Sequence, residues 1–326
     1  MDRLWMLVVL LAAVLLGVLF LNGVRPQKSP DAVEKLGKVR FPVSCHAAAQ
    51  KEFNRAMALF HSFWFDPAIK SFHQVLQHDP ACGMAHWGIA IMSMGNPLAW
   101  PPNPNALKAG AAALAEAQRV GAQSERERDY IAALAAFFEN WETADHRSRA
   151  LAFEKAMERL ATKYPTDDEA QILYALVLNV TALPADKTFA NQLKAASILE
   201  PFFKKYPNHP GVAHYLIHTY DYTELAEQGL PAARVYAKIA PSVPHARHMP
   251  SHIFSRVGLW RAMVESNRAS YFAAKSELQE TTLGIGTYDA LHAMDYLVFA
   301  HLQQAQDKTA KAWLDEIAAI RKVNVE

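Results

Sequence analysis

The chain has 326 residues, of which 51% are hydrophobic and 20% charged, enough apolar content for one extended or two compact domains with a real core. Thirty-three basic against 32 acidic residues leave a formal charge of +1, and the basic ones are scattered, which excludes a nucleic-acid surface built on charge. Only 13 glycines among many alanines and leucines, with few long β-branched runs, point to an all-α fold.

Residues Leu4 to Leu21 form 18 consecutive uncharged, mostly apolar positions, about the minimum for a bilayer span. A cleavable signal peptide ends in a small-x-small site, which Leu21, Asn22 and Gly23 fit poorly. Residues 1–24 are therefore read as a membrane anchor in preference to a cleaved signal, and residues 25–40, polar with Pro26, Pro30 and Gly37, as a linker. Arg25, Lys28, Lys35, Lys38 and Arg40 follow the span, and charge bias alone would keep that side inside. The cysteines argue the other way. Cys45 and Cys82 each just precede an expected first helix, where the starts of neighbouring hairpins come close, so a disulfide between them fits a periplasmic or extracellular compartment. Two buried free thiols are the alternative reading. No C-x-x-C-H is present, so covalent haem is not indicated.

From Phe41 onward helical hairpins follow one another. Ala56, Leu59, Ala68, Phe72 and Pro80 supply small, apolar, aromatic and closing positions in the first; Asp66-Pro67 starts its second helix, which ends at Asp79-Pro80 before Gly83 opens the next. Ser124-x-x-Glu127 and Thr166-x-x-Glu169 read as capping boxes, and the run at 124–129 as a solvated helix start. Tyr164-Pro165 and Tyr206-Pro207 close helices with the apolar stripes Phe153, Met157, Leu160 and Ala195, Leu199, Phe202. Gly258 and Trp260 mark a turn between helices, and Asp307 caps the last helix. Segments 96–104, 182–188, 221–229 and 278–286 are longer than a plain hairpin needs. The first three join the two helices of one hairpin and should emerge on one edge, as lids over a groove or as surface insertions.

These residues resemble the tetratricopeptide-repeat superfamily over roughly residues 41–326, and DPACGMAHWGIA (79–90) with HMPSHIFSRVGLW (248–260) resembles a bacterial, often exported group within it. The resemblance implies a right-handed α-solenoid of five to six helical hairpins after an N-terminal membrane helix, with the first helix of each pair lining a concave groove through its positions 2, 5, 9, 12 and 13. It implies a scaffold that binds a partner in that groove and implies no reaction.

Five of the 14 histidines fall in GVAHYLIHTYD (211–221) and PHARHMPSHIFSRVGLW (244–260). His214 and His218 are four apart, as are His248 and His252, and the second pair lies 34 residues after the first, the period of such a repeat. In the register that the resemblance supplies, His245, His248 and His252 take positions 2, 5 and 9. His214 and His218 take 5 and 9 of the preceding repeat with Asp221 at 12, and His292 and Asp295 take 2 and 5 of the last. Residues four apart share a helix face, and imidazoles from helices packed about 8 to 10 Å apart can meet one ion. Histidine with carboxylate suits zinc, iron, copper or nickel. Pro250 disfavours helical geometry at Met249 unless it sits in a first turn begun at Pro244 or His245, so the relation of His248 to His252 depends on that turn.

No nucleophile elbow, P-loop, dinucleotide fingerprint or H-E-x-x-H occurs. Two readings follow. The first is a membrane-anchored, extracytoplasmic repeat scaffold holding a peptide, protein segment or small ligand in its groove. The second is a metalloprotein or metal-dependent enzyme with His214, His218, His248 and His252 as ligands and Asp221, His245, His292 and Asp295 nearby. Buried groove histidines bonded to backbone or tyrosine are the plain alternative.

Overall fold

A computed structural model describes residues 34–277 and 285–324. The expected anchor and most of the segment 278–286 lie outside them. No helix among the described residues is long and apolar enough to cross a membrane.

The described chain folds into helices that pair as antiparallel neighbours: α1 (Ala47–His61) with α2 (Phe65–His78), α3 (Gly83–Met92) with α4 (Pro104–Val120), and α5 (Glu125–Phe138) with α6 (His146–Lys163). Next come α7 (Asp168–Thr181) with α8 (Ala190–Lys205) and α9 (Pro210–Thr219) with α10 (Ala226–Ile239). The short α11 (Pro244–His248) and α12 (Pro250–Arg256) together pair with α13 (Trp260–Glu277), and α14 (Tyr288–Gln303) with α15 (Asp307–Ala319). That is seven hairpins among the described residues, where five to six were expected. One departure from all-α is a short parallel ladder of β1 (Ile285–Thr287) on β2 (Lys322–Asn324), pairing Ile285 with Lys322.

Local chemistry sets the helix starts. Pro104, Pro210 and Pro244 each occupy a first turn, where the missing N–H removes no helical bond. Asn103 and His209 cap two of these, accepting from Ala106 N at 2.9 Å and Val212 N at 3.3 Å. Three expected caps differ. Trp64 and Gln306, without side-chain cap bonds, precede α2 and α15, leaving Asp66 and Asp307 inside the first turns, where a negative charge still complements the helix dipole. Asp167, not Thr166, caps α7.

Ser124 does accept from Glu127 N at 3.2 Å, but the Glu127 carboxylate reaches Ser44 N and Oγ, both at 2.6 Å, instead of returning to its own helix start. The charged run at 124–129 is accordingly not wholly solvated: Glu127 is buried, and Arg126 bridges to Asp167 at 2.6 Å.

First helices of most successive pairs touch, and α1 also contacts α9, so the array curls back on itself. Phe60, Phe63, Trp87, Leu173 and Val177 line a cavity of about 20 Å³ together with Trp100 of the 96–104 segment, which packs on Phe137 at 4.7 Å. Such a volume holds about one water-sized occupant. Cys45 and Cys82, just ahead of α1 and α3, form a disulfide with Cα atoms 5.2 Å apart.

Candidate metal centre

The chain from Pro244 to Arg256 brings the histidines together. Met249 keeps right-handed helical angles (φ −52°, ψ −35°), its N–H bonds His245 O at 2.9 Å, and His252 N bonds Met249 O at 3.1 Å. The helical path therefore runs through the proline, at the cost of the one bond Pro250 cannot donate. The His248 and His252 rings consequently share a face, with centroids 4.9 Å apart. On α9 the His214 and His218 rings lie 4.8 Å apart.

Two triads result. In the first, His214 Nε2 faces His218 Nε2 at 3.0 Å and His245 Nε2 at 3.1 Å. In the second, His248 Nε2 faces His252 Nε2 at 3.0 Å, and His292 joins from α14. Within each triad the ligand-type nitrogens all lie within 4.8 Å of one another. In the register that the resemblance implies, each triad would take positions 5 and 9 of one repeat and position 2 of the next. Two nitrogens on one tetrahedral ion, each about 2.0 to 2.1 Å from it, stand about 3.3 Å apart, close to these separations.

The far sides of the rings fix which nitrogens carry hydrogen. His214 Nδ1 lies 2.7 Å from the carbonyl oxygen of His61, which can only accept, so Nδ1–H donates and the neutral ring has a bare Nε2. His252 Nδ1–H donates to Asp221 Oδ2 at 2.8 Å, and His248 Nδ1–H to Asn267 Oδ1 at 2.7 Å. The Asn267 amide is itself oriented, because its nitrogen donates to Met263 O at 2.9 Å. With both rings uncharged, His248 and His252 would aim two lone pairs at each other across 3.0 Å. That contact is repulsive unless a cation, metal ion or proton, sits at it. Carboxylate, amide or backbone carbonyl behind a ligand ring is the usual support of a metal-bound histidine.

Burial disfavours the charged form of five of the rings. His214 is fully buried, and desolvation lowers it from 6.5 to about 3. Desolvation, reinforced by neighbouring histidines, also puts His218, His245 and His248 well below 6.5, and burial lowers His292. Burial works against the Asp221 carboxylate, yet the bonds from His252 and Arg256 hold it below its ordinary value. His214 and His248 form the floor of the group, while His218, His245, His252 and His292 are half-buried around its rim.

Of the residues expected at the site, all six histidines converge and Asp221 stands behind His252. Asp295 does not: it is exposed and reaches His292 only through its charge. The sequence reading missed four supports. Asn267 orients His248, and the Tyr296 ring lies 4.7 Å from His248 and 5.1 Å from His292. Phe63, held at φ 52° in the turn after α1, sets its ring edge against His214 at 4.5 Å. A bulky side chain in that conformation is strained, and such strain persists where its surroundings impose it.

The fourth support is a buried cluster beneath the first triad. Glu169, expected to close a capping box, instead accepts from His61 Nε2 at 2.9 Å and His209 Nε2 at 3.0 Å. The His61 Nδ1 accepts from Tyr215 OH at 2.9 Å. His61, Glu169 and His209 could also be grouped as metal ligands, but each bond described here already pairs a donor with an acceptor. The cluster locks α1, α7 and α9 together, and the His61 carbonyl then orients His214.

Fold and site together define an all-α helical-repeat protein carrying tandem histidine triads. No protein-family model matches the chain, and no curated protein matches it. Among solved structures it is similar to MamA (41-end) from Desulfovibrio magneticus RS-1 and to the MamA RS-1 ArsTM double mutant. Each has a TM-score of 0.42 and 12% identity, covering 58% of this chain and 94% of the other. Likeness at that level assigns neither a family nor a function.

Proposed function

We propose that this is a metal-binding repeat protein in which each histidine triad holds one divalent transition ion. The observation that carries the reading is the approach of His248 Nε2 and His252 Nε2 to 3.0 Å with both Nδ1 atoms committed to Asn267 and Asp221. A proton shared between the two rings would relieve that one contact. It would not account for a third imidazole at the same point, or for the same arrangement repeated at His214, His218 and His245. All-imidazole donors suit zinc, copper, nickel or iron rather than magnesium or calcium. The disulfide and the apolar stretch Leu4–Leu21 support a membrane-anchored domain in an oxidising, extracytoplasmic compartment.

The test is elemental analysis of the full chain, purified in detergent and chelator-free buffer. Two equivalents of transition metal are expected, falling to one in His218→Ala and one in His252→Ala. Metal-free protein that also takes up none on dialysis against zinc or copper would end the reading.

A scaffold role rests on a different observation. Phe272, Tyr288, Phe299, Leu302 and Leu314 are large apolar side chains exposed on α13, α14 and α15, and a contact surface would draw on such side chains. A photo-crosslinker placed at Leu302 in the intact host membrane should capture a protein; absence of any adduct counts against that role.

A further inference from the structure

We infer that the two triads work as one dinuclear centre whose ions share a small oxyanion, a phosphate or carboxylate group entering from solvent. This deepens the metal reading and rests on it. Three observations carry it.

The first is adjacency. His218 of one triad lies 6.1 Å, ring to ring, from His252 of the other, and His245 lies 6.2 Å from His248. Those are the separations of rings in direct contact, so no side chain intervenes.

The second is charge. Both donor sets are neutral imidazole, and two divalent ions bring four positive charges. Asp221 touches the group only through His252, and its other oxygen is held by Arg256 Nε at 2.8 Å. Asp295 is exposed and acts on His292 only through its charge, and Glu169 is consumed by His61 and His209. Uncompensated charge in a half-buried site is costly, so an anion must accompany the metal.

The third is access. The buried His214 and His248 form the floor, and the four rings of the rim are partly exposed, so solvent reaches the edge of the group. Ions with three protein ligands keep a position for water or substrate. An oxyanion has two oxygens to give, one to each ion, and two-metal sites hold reacting groups in this way.

The test uses the full chain in detergent, loaded with two equivalents of zinc and titrated calorimetrically with inorganic phosphate and with acetate. One anion is expected per two zinc ions, none binding to the metal-free chain. Binding should be lost in His218→Asn and in His292→Gln, each retaining one zinc. A preference between the two probes identifies the source of the oxyanion. The copper(II)-loaded chain should show a half-field electron paramagnetic resonance signal that disappears in both variants. Two zinc ions bound with no anion uptake, or uptake unchanged in the single-triad variants, would overturn the inference while leaving the metal reading in place. Absence of bound zinc would overturn both.

Discussion

At the scale of single residues, the second triad is held from behind by a carboxylate and the first by a backbone carbonyl. Asp221→Asn keeps the shape but removes the charge that favours Nδ1–H on His252, so metal affinity at that triad should fall roughly 10- to 100-fold with the fold intact. Competition against a chromophoric chelator measures this; unchanged affinity would mean that His252 binds no metal.

Protons give an independent check on His214. Its folded-state value of about 3 lies below the unfolded 6.5, so in metal-free protein the unfolded chain takes up the proton first. The stability from a neutral buried His214 is therefore fully present above about pH 6.5 and is lost as pH falls toward 3, on the order of 1.4 kcal/mol per pH unit. His218, His245 and His248 shift in the same direction. The urea midpoint of metal-free protein should be level above about pH 7 and decline below it, less steeply in His214→Asn. A midpoint level down to pH 5 would contradict the burial of these rings. His214, His218, His248 and His252 were legible because their spacing repeats, and His245 and His292 only through the register that the resemblance supplies. Asn267, Phe63 and Glu169 were not, since their roles arise from contacts across 19, 151 and 108 residues that no local pattern records.

At the scale of elements, helix starts and stops fell close to the expected turn signals, although the capping residue differed at α2, α7 and α15, whereas the hairpin count did not follow a fixed period. First helices begin at residues 47, 83, 125, 168, 210, 244 and 288, so only the step from α9 to α11 equals 34. That step carries the two histidine pairs, which is why the grid could be read there. The 13 extra residues between His248 and His292, compared with His214 and His245, include the lengthened 278–286 segment, yet α14 still delivers His292 to the equivalent place. Two predictions belong here. Reducing the Cys45–Cys82 bond, which closes a loop over a separation of 37 residues, should cost roughly 2 to 4 kcal/mol in denaturant unfolding, with metal content unchanged. Glu169→Gln leaves one of its two histidine donors facing an amide nitrogen, and should cost roughly 1 to 3 kcal/mol. No loss in that variant would show that the buried cluster does not hold α1, α7 and α9 together.

For the molecule as a whole, the triads are cross-links between repeats. The first joins α9 to α11, and the second joins α11 and α12 to α14, so metal should stabilise the C-terminal half of the array more than the N-terminal half. At a free metal concentration 100 times Kd each ion adds about 2.7 kcal/mol to the state that binds it. The general course of the array was legible in its apolar stripes and punctuation. Its curling back, α1 onto α9, was not, because an open groove and a closed one share the same stripe of inward-facing residues.

The most direct measurement is the X-ray absorption spectrum of the zinc- or copper-loaded chain. An inner shell of nitrogen or oxygen near 2.0 to 2.1 Å with the outer-shell scattering of about three imidazoles per ion is the predicted result. A shell without imidazole scattering, or with sulfur, would show that the ions sit elsewhere and that these six rings converge for packing alone.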